Sequence, residues 1–316
     1  LQVILVETKK IKQIILNIDM KNSILCITIA NLFALTLFTA NNASAQFSFV
    51  TKKVDKFTVA DDCLYKAYYY LQFYPYSQKY SVNSVGSEQK ASNYEEDITV
   101  VEIGKNVIHS GSYIFYKSDS SSTAKSETRS MRQVIFPEDV FIYPQRKVLS
   151  LAYRTWLGVA IYRYEEPIEK FNWKITQQID TIAGYECQSA TCTFRGREYT
   201  AWFTKEVPVN AGPYKFRGLP GLIVKLYDKV GDYCWTLSAF VKAPSGETIK
   251  NYTWQYTNTT QAKYNNAIKW MYDDPYQFFG SFGMKFMVNS GNGFSPDHAK
   301  VTIPYNPIEL SEEKGK

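Results

Sequence analysis

The densest grouping of side chains able to grip a ligand lies between residues 195 and 217. Arg195, Arg197, Trp202, Tyr214, Lys215, Phe216 and Arg217 mix guanidinium and ammonium groups with aromatic rings. Arginine forks hold carboxylates bidentately, and aromatic faces accept cations or peptide side chains and stack on sugar rings. The pattern predicts a binding surface for a protein, peptide or glycan. The competing reading is a packing role, with Trp202 and Phe216 in a core and the arginines crossing a hairpin.

Catalytic chemistry has weaker support. Nucleophilic catalysis asks for a base, usually His, held by a third group. The two histidines, His109 and His298, neighbour no G-x-S-x-G elbow. Acidic pairs occur at Asp61-Asp62, Glu95-Glu96, Glu165-Glu166 and Asp273-Asp274. Neighbours on a strand point to opposite faces, so adjacency alone builds no acid/base pair. A carboxylate-dependent hydrolase would need two acids converging across strands at roughly 5–9 Å. The sequence therefore assigns no catalytic residue and no cofactor.

Residues 20–45 read as a signal peptide. Met20-Lys21-Asn22 starts a short charged region, Ile24–Phe38 is an apolar run, and Ala43-Ser44-Ala45 offers an A-x-A cleavage site. The run is shorter than the ~20 residues that a spanning helix requires. Residues 1–19 read as an upstream extension, and 46–316 as one exported β-rich domain of the periplasm or cell envelope. Four cysteines then remain: Cys63, Cys187, Cys192 and Cys234. An even count in an exported chain predicts two disulfides. Cys187 and Cys192 are five residues apart on one expected strand, about 16 Å, so each bridge would run to Cys63 or Cys234. There is no CxxC and no His beside a Cys, so no metal site is expected. The formal charge of +6 is spread without any Lys/Arg block, which argues against a nucleic-acid partner.

The elements that must position these residues read mostly as strands. Tyr-rich Leu64–Phe73 suits a pleated, half-buried surface. Asp97–Ile103 and Val107–Lys117 flank a short hairpin signal at Gly104-Lys105-Asn106. Val134–Tyr143, Val148–Arg154, Ile161–Tyr164, Tyr185–Phe194, Glu198–Thr204, Ile223–Tyr227 and Tyr233–Val241 follow. Ser118–Arg129, polar and without an apolar period, reads as an exposed loop. One helix is predicted at 259–272, with Thr259 or Thr260 as its cap and Pro275 beyond its end. The expected fold is mainly β: a large curved antiparallel sheet or open half barrel with one C-terminal helix.

Gly218-Leu219-Pro220-Gly221-Leu222-Ile223 reads as a type II turn, with Pro at its second position and Gly at its third. Together with Ala201-Trp202-Phe203-Thr204, Gly212-Pro213-Tyr214-Lys215-Phe216, Glu102-Ile103-Gly104 and Asn306-Pro307-Ile308-Glu309, this hexapeptide resembles the GLPGLI family. Its members are mostly exported proteins of Bacteroidota, without an established biochemical function. The resemblance implies an envelope location and no catalytic residues. The functional expectation is a non-enzymatic module that binds a protein, peptide or glycan through the 195–223 region. The alternatives are a carrier of a lipid or other apolar ligand, and the hydrolase above.

Overall fold

The computed structural model describes residues 47–75, 94–131, 134–286, 288–289, 294–295 and 302–310. The signal-peptide reading and His298 fall outside the described residues. In chain order the elements are β1 (Phe57–Phe73), β2 (Glu95–Gly104), β3 (Ile108–Ser112), α1 (Tyr113–Ala124), β4 (Glu138–Tyr143), β5 (Val148–Arg154), β6 (Ile161–Pro167), β7 (Lys174–Ile182), β8 (Tyr185–Phe194) and β9 (Arg197–Thr204). They continue with β10 (Leu222–Asp228), β11 (Tyr233–Lys242), β12 (Thr248–Tyr252), β13 (Thr257–Asn258), α2 (Gln261–Asp273), α3 (Pro275–Gly280), β14 (Val288–Asn289) and β15 (Phe294–Ser295).

Thirteen strands make one open sheet in the order β13-β6-β5-β4-β3-β2-β1-β11-β10-β9-β8-β7, with β12 also paired to β1. The mainly β expectation holds, in its open-sheet form. β1 is the spine of this sheet. Its side chains alternate, so Ala67, Tyr69, Leu71 and Phe73 are buried on the inner face while Lys66, Tyr68 and Tyr70 stand on the outer one. The inner face is covered by α2 and α3, and by Phe47 and Phe49 from the segment before β1. Trp235, Ile268, Met271, Phe278 and Phe279 fill the space between.

The predicted helix is present, displaced by a residue or two: Thr260 caps α2 by accepting from the Lys263 amide. Two sequence expectations change. Val107–Lys117 is a strand only as far as Ser112, and much of the expected Ser118–Arg129 loop is helix α1. Ser112 Oγ caps α1 by accepting from the Phe115 amide at 3.1 Å, and donates to Asp97 at 3.0 Å. The buried side of α1 includes polar Asp119 and Ser122. A helix anchored by polar groups shows no apolar stripe.

The two expected disulfides do not form: Cys63, Cys187, Cys192 and Cys234 are free. Strand order explains this. Cys192 lies on β8 and Cys234 on β11, three strand spacings apart, or about 14 Å. Cys63 is one strand further from β8, and on β1 it stands nine residues from Gln72, the residue paired with Cys234. All these separations exceed the roughly 7 Å limit for a bridge. Burial pushes the Cys63 and Cys187 thiols up to about 11 and Cys192 up to about 12, so they are unreactive.

Candidate functional site: a charged cleft between aromatic rows

The 195–217 grouping divides: Tyr214, Lys215 and Phe216 lie inside the protein, Arg197 holds a separate buried network, and Trp202 alternates with the inward-facing Ala201 and Phe203. Arg197, Tyr214, Lys215 and Phe216 are buried; Arg195, Trp202 and Arg217 are half-buried. Lys215 Nζ lies 2.6 Å from Glu166 Oε1, 2.5 Å from Glu309 Oε1 and 3.1 Å from the Tyr164 hydroxyl. Burial alone would lower its pKa; Glu309, Tyr164 and Glu166 outweigh that and hold the ammonium charged. Arg197 donates to Asp228 at 2.8 Å, Asp232 at 2.9 Å and Asn306 at 2.6 Å. Phe216 packs among Phe171, Phe194 and Tyr199. These four side chains are thus occupied by internal contacts, because strand alternation turns β9 and the following loop onto the inner face. Arg195 joins the same network through Glu166 and Glu169.

The Gly218–Ile223 hexapeptide is a structural turn of another type than expected. The Gly221 amide bonds to Leu219 O at 2.9 Å, so the chain reverses tightly around Pro220, while Leu222 N bonds instead to Val207 O at 3.0 Å. Gly221 has φ +146, and a Cβ there would stand 1.9 Å from Thr204 O. Only glycine lets this turn press against the end of β9.

The outer face holds the feature that sequence reading missed. Across β1, β2, β3 and β4, Lys66 stands opposite Glu102, Glu102 opposite His109, and His109 opposite Phe141. Cross-strand partners share a face, so register alone aligns this row. Lys66 bridges Glu102 at 3.0 Å and Glu247 at 2.9 Å. His109 donates from Nδ1 to Glu102 at 3.0 Å and from Nε2 to Asp139 at 2.6 Å, with its ring stacked on Phe141. Gly111 makes room for this, since a Cβ there would sit 2.3 Å from Asp139 Oδ1.

Burial by itself would depress the His109 pKa. The two carboxylates, Asp139 first, reverse that and raise it to about 10, so the ring is an imidazolium at neutral pH. Burial would raise Glu102; His109 and Lys66 hold it below its usual value. His109 therefore has no lone pair for base catalysis, and Glu102 no proton to give. Glu138, which burial pushes up to about 7, faces the other way and accepts from the Tyr264 hydroxyl at 2.7 Å.

Aromatic rows flank this floor. One runs Phe57, Tyr252, Trp254, Tyr256, with ring centres 6.3, 5.1 and 6.2 Å apart. The other runs Tyr68, Tyr113, Tyr116, at 5.2 and 6.1 Å. Tyr252 and Trp254 from the first row and all three rings of the second line a cavity of about 50 Å³ with Lys66, Glu102, His109, Asp139 and Glu247. Arg154 ties the flanks together: its guanidinium lies 4.2 Å from the ring centres of both Phe115 and Trp254, and 2.6 Å from buried Asp119 on α1. The residues come from six stretches of chain spread between 57 and 256. No local motif could have announced them, though alternation on Lys66 and Glu102 carried a weak signal.

A family model described as "Protein of unknown function (Porph_ging)" matches residues 193–225, which include Arg197 and Lys215 of the buried contacts and the Gly218–Ile223 turn. No curated protein matches the chain. Among solved structures, two with the titles "Structure of PNGF-II in P21 space group" and "Structure of PNGF-II in C2 space group" are similar to it. Identities are 14% and 13%, and TM-scores 0.43 and 0.42. Each match covers 65% of this chain and 32% of the other. The chain thus spans about a third of those structures, and at such scores the likeness carries no function across. No helix among the described residues is long and apolar enough to cross a membrane.

Proposed function

We propose that the protein is an exported, non-enzymatic binding module whose outer cleft takes a glycan. One observation carries this reading: aromatic rows flank a floor whose charges are paired with one another. Aromatic faces meet the C–H face of a sugar ring, whose hydroxyls bond to the outer atoms of Asp139, Glu247 and Lys66. A charged peptide would have to break the Lys66–Glu102–His109–Asp139 chain to find a counter-ion, whereas a neutral polyhydroxylated ligand leaves it intact. The inner face, filled by Trp235, Ile268, Phe278 and Phe279, leaves the apolar-carrier alternative without support. The paired state of His109 and Glu102 argues against hydrolysis.

The test is a glycan array followed by calorimetric titration of the best saccharide. Saccharide binding is expected, with Trp254→Ala and Tyr116→Ala each weakening it at least about tenfold. Binding of peptides but no saccharide would sink the glycan assignment. Cleavage of a bound saccharide would sink the non-enzymatic one.

A further inference from the structure

The two ends of the sheet are finished differently. At one end, β6 is capped by β13, which runs parallel to it at Tyr162 and Arg163. Arg163 secures the cap through Asn258 at 3.0 Å, and its guanidinium covers Tyr256. At the other end, β7 pairs with β8 on one side, and among the described residues no strand pairs with the other. Seven of its nine residues are exposed and two are half-buried. It displays Ile175 and Ile179, 50% and 65% exposed, on an uncovered edge. Unpaired edges template the addition of another strand unless something blunts them.

The residues of β7 read as their own complement. Its sequence is Lys-Ile-Thr-Gln-Gln-Ile-Asp-Thr-Ile from 174 to 182. An antiparallel copy related by a twofold axis at Gln177 places Lys174 opposite Asp180, Ile175 opposite Ile179, and Thr176 opposite Gln178. Each pairing occurs twice by symmetry, giving two ion pairs and two apolar pairs. Neither Lys174 nor Asp180 has an ion pair within the described chain; Asp180 accepts only a local bond from the Thr181 amide.

The irregularity in β7 selects this register. Pairing with β8 jumps from Ile175↔Ala190 to Ile179↔Gln188, so residues 176–178 bulge, with Thr176 O accepting from Gln188 Nε2 at 2.8 Å. A straight strand laid on this edge meets the bulge. A second copy centred on Gln177 sets bulge against bulge, leaving the regular arms at 174–175 and 179–181 to pair with each other. Other registers lose this: a twofold at Asp180 would put two carboxylates face to face.

We infer that β7 is a homodimerisation edge, joining two copies of this chain into one continuous sheet through antiparallel β7–β7 pairing centred on Gln177. The partner is a second copy because the charge pattern matches itself. This inference does not depend on the ligand of the outer cleft.

Sedimentation velocity on the purified protein, at micromolar to submillimolar concentrations, tests it by charge exchange. The native chain should dimerise. Lys174→Asp and Asp180→Lys should each weaken the dimer about tenfold or more, because each sets like charges opposite one another twice. The two single variants mixed should pair with each other, and the double exchange should restore the homodimer. All three positions of change are exposed, so folding is not at stake, and circular dichroism checks it. Gln177→Cys should also give an intermolecular disulfide under mild oxidation. A native chain that stays monomeric overturns the inference. So does a dimer indifferent to the exchanges, which would place the interface elsewhere.

Discussion

Lys215 and His109 are each clamped between two carboxylates, on opposite faces of the same sheet. Lys215 sits between Glu166 and Glu309 with its side chain 2% exposed; His109 sits between Glu102 and Asp139 with 14% exposed. The inner clamp is sealed beneath side chains, and one of its acids comes from the segment after residue 302, so it fastens distant chain to the sheet. The outer clamp opens toward solvent beside aromatic rings and fastens nothing but its own neighbours. The same device thus serves cohesion on one face and a neutral, rigid floor on the other. Desolvation decides between the two: a buried cation is costly to orphan, and a partly wet one far less so.

The sharpest way to break this contrast is to remove each cation. Lys215→Met should destabilise folding by roughly 3–5 kcal/mol, because Glu309 loses its partner cation and buried Glu166 keeps only the half-buried Arg195. Lys66→Met on the outer face should cost only about 1 kcal/mol. Urea denaturation measures both, and equal losses would mean that the two faces are alike. The glycines come next. Gly221→Ala drives a Cβ into the Thr204 carbonyl and should cost on the order of 3 kcal/mol. Gly111→Ala meets the movable Asp139 carboxylate and, at 3.3 Å, His109 Nε2, both side-chain atoms, so about 1 kcal/mol is expected, with the His109 pKa falling as its partner is displaced. Histidine NMR titration reads that fall.

The pH dependence separates the faces further. The His109 pKa is raised from 6.5 to about 10 in the folded state. Its contribution is therefore complete below about pH 6.5 and lost as pH rises through 10, a loss of roughly 1–2 kcal/mol allowing for solvent near the ring. Glu138 is raised from 4.5 to about 7, so its neutral form favours the fold below about pH 4.5 and that benefit is lost as pH rises through 7. His109→Asn should flatten the alkaline part of the stability profile and Glu138→Gln the part between about pH 4.5 and 7. The smallest effect belongs to Trp254→Ala, half-exposed on the flank of the cleft. It should lower stability by about 1 kcal/mol at most while weakening saccharide binding at least about tenfold.

Alternation and turn residues made most of the sheet legible: Val148–Arg154 and Tyr185–Phe194 coincide with their strands, and α2 differs by a residue or two. What failed did so for physical reasons. β7 carries no clean alternation because it is exposed on both faces. α1 hid because its anchors are Asp119 and Ser122 rather than apolar side chains. In the aromatic and basic cluster at 195–217, four of the seven side chains are buried, because residue types do not say which face of a strand turns inward. The cleft was illegible because Lys66, His109, Asp139, Arg154 and Glu247 meet only through strand order.

The tie between Lys215 and Glu309 also sets a timetable. A ribosome delivers Glu309 ninety-four residues after Lys215, and Asn306 one hundred and nine after Arg197. Until then Lys215 has only Glu166 of its two carboxylates, and Arg197 only Asp228 and Asp232, so each buried cation is fully partnered only once the distant segment docks.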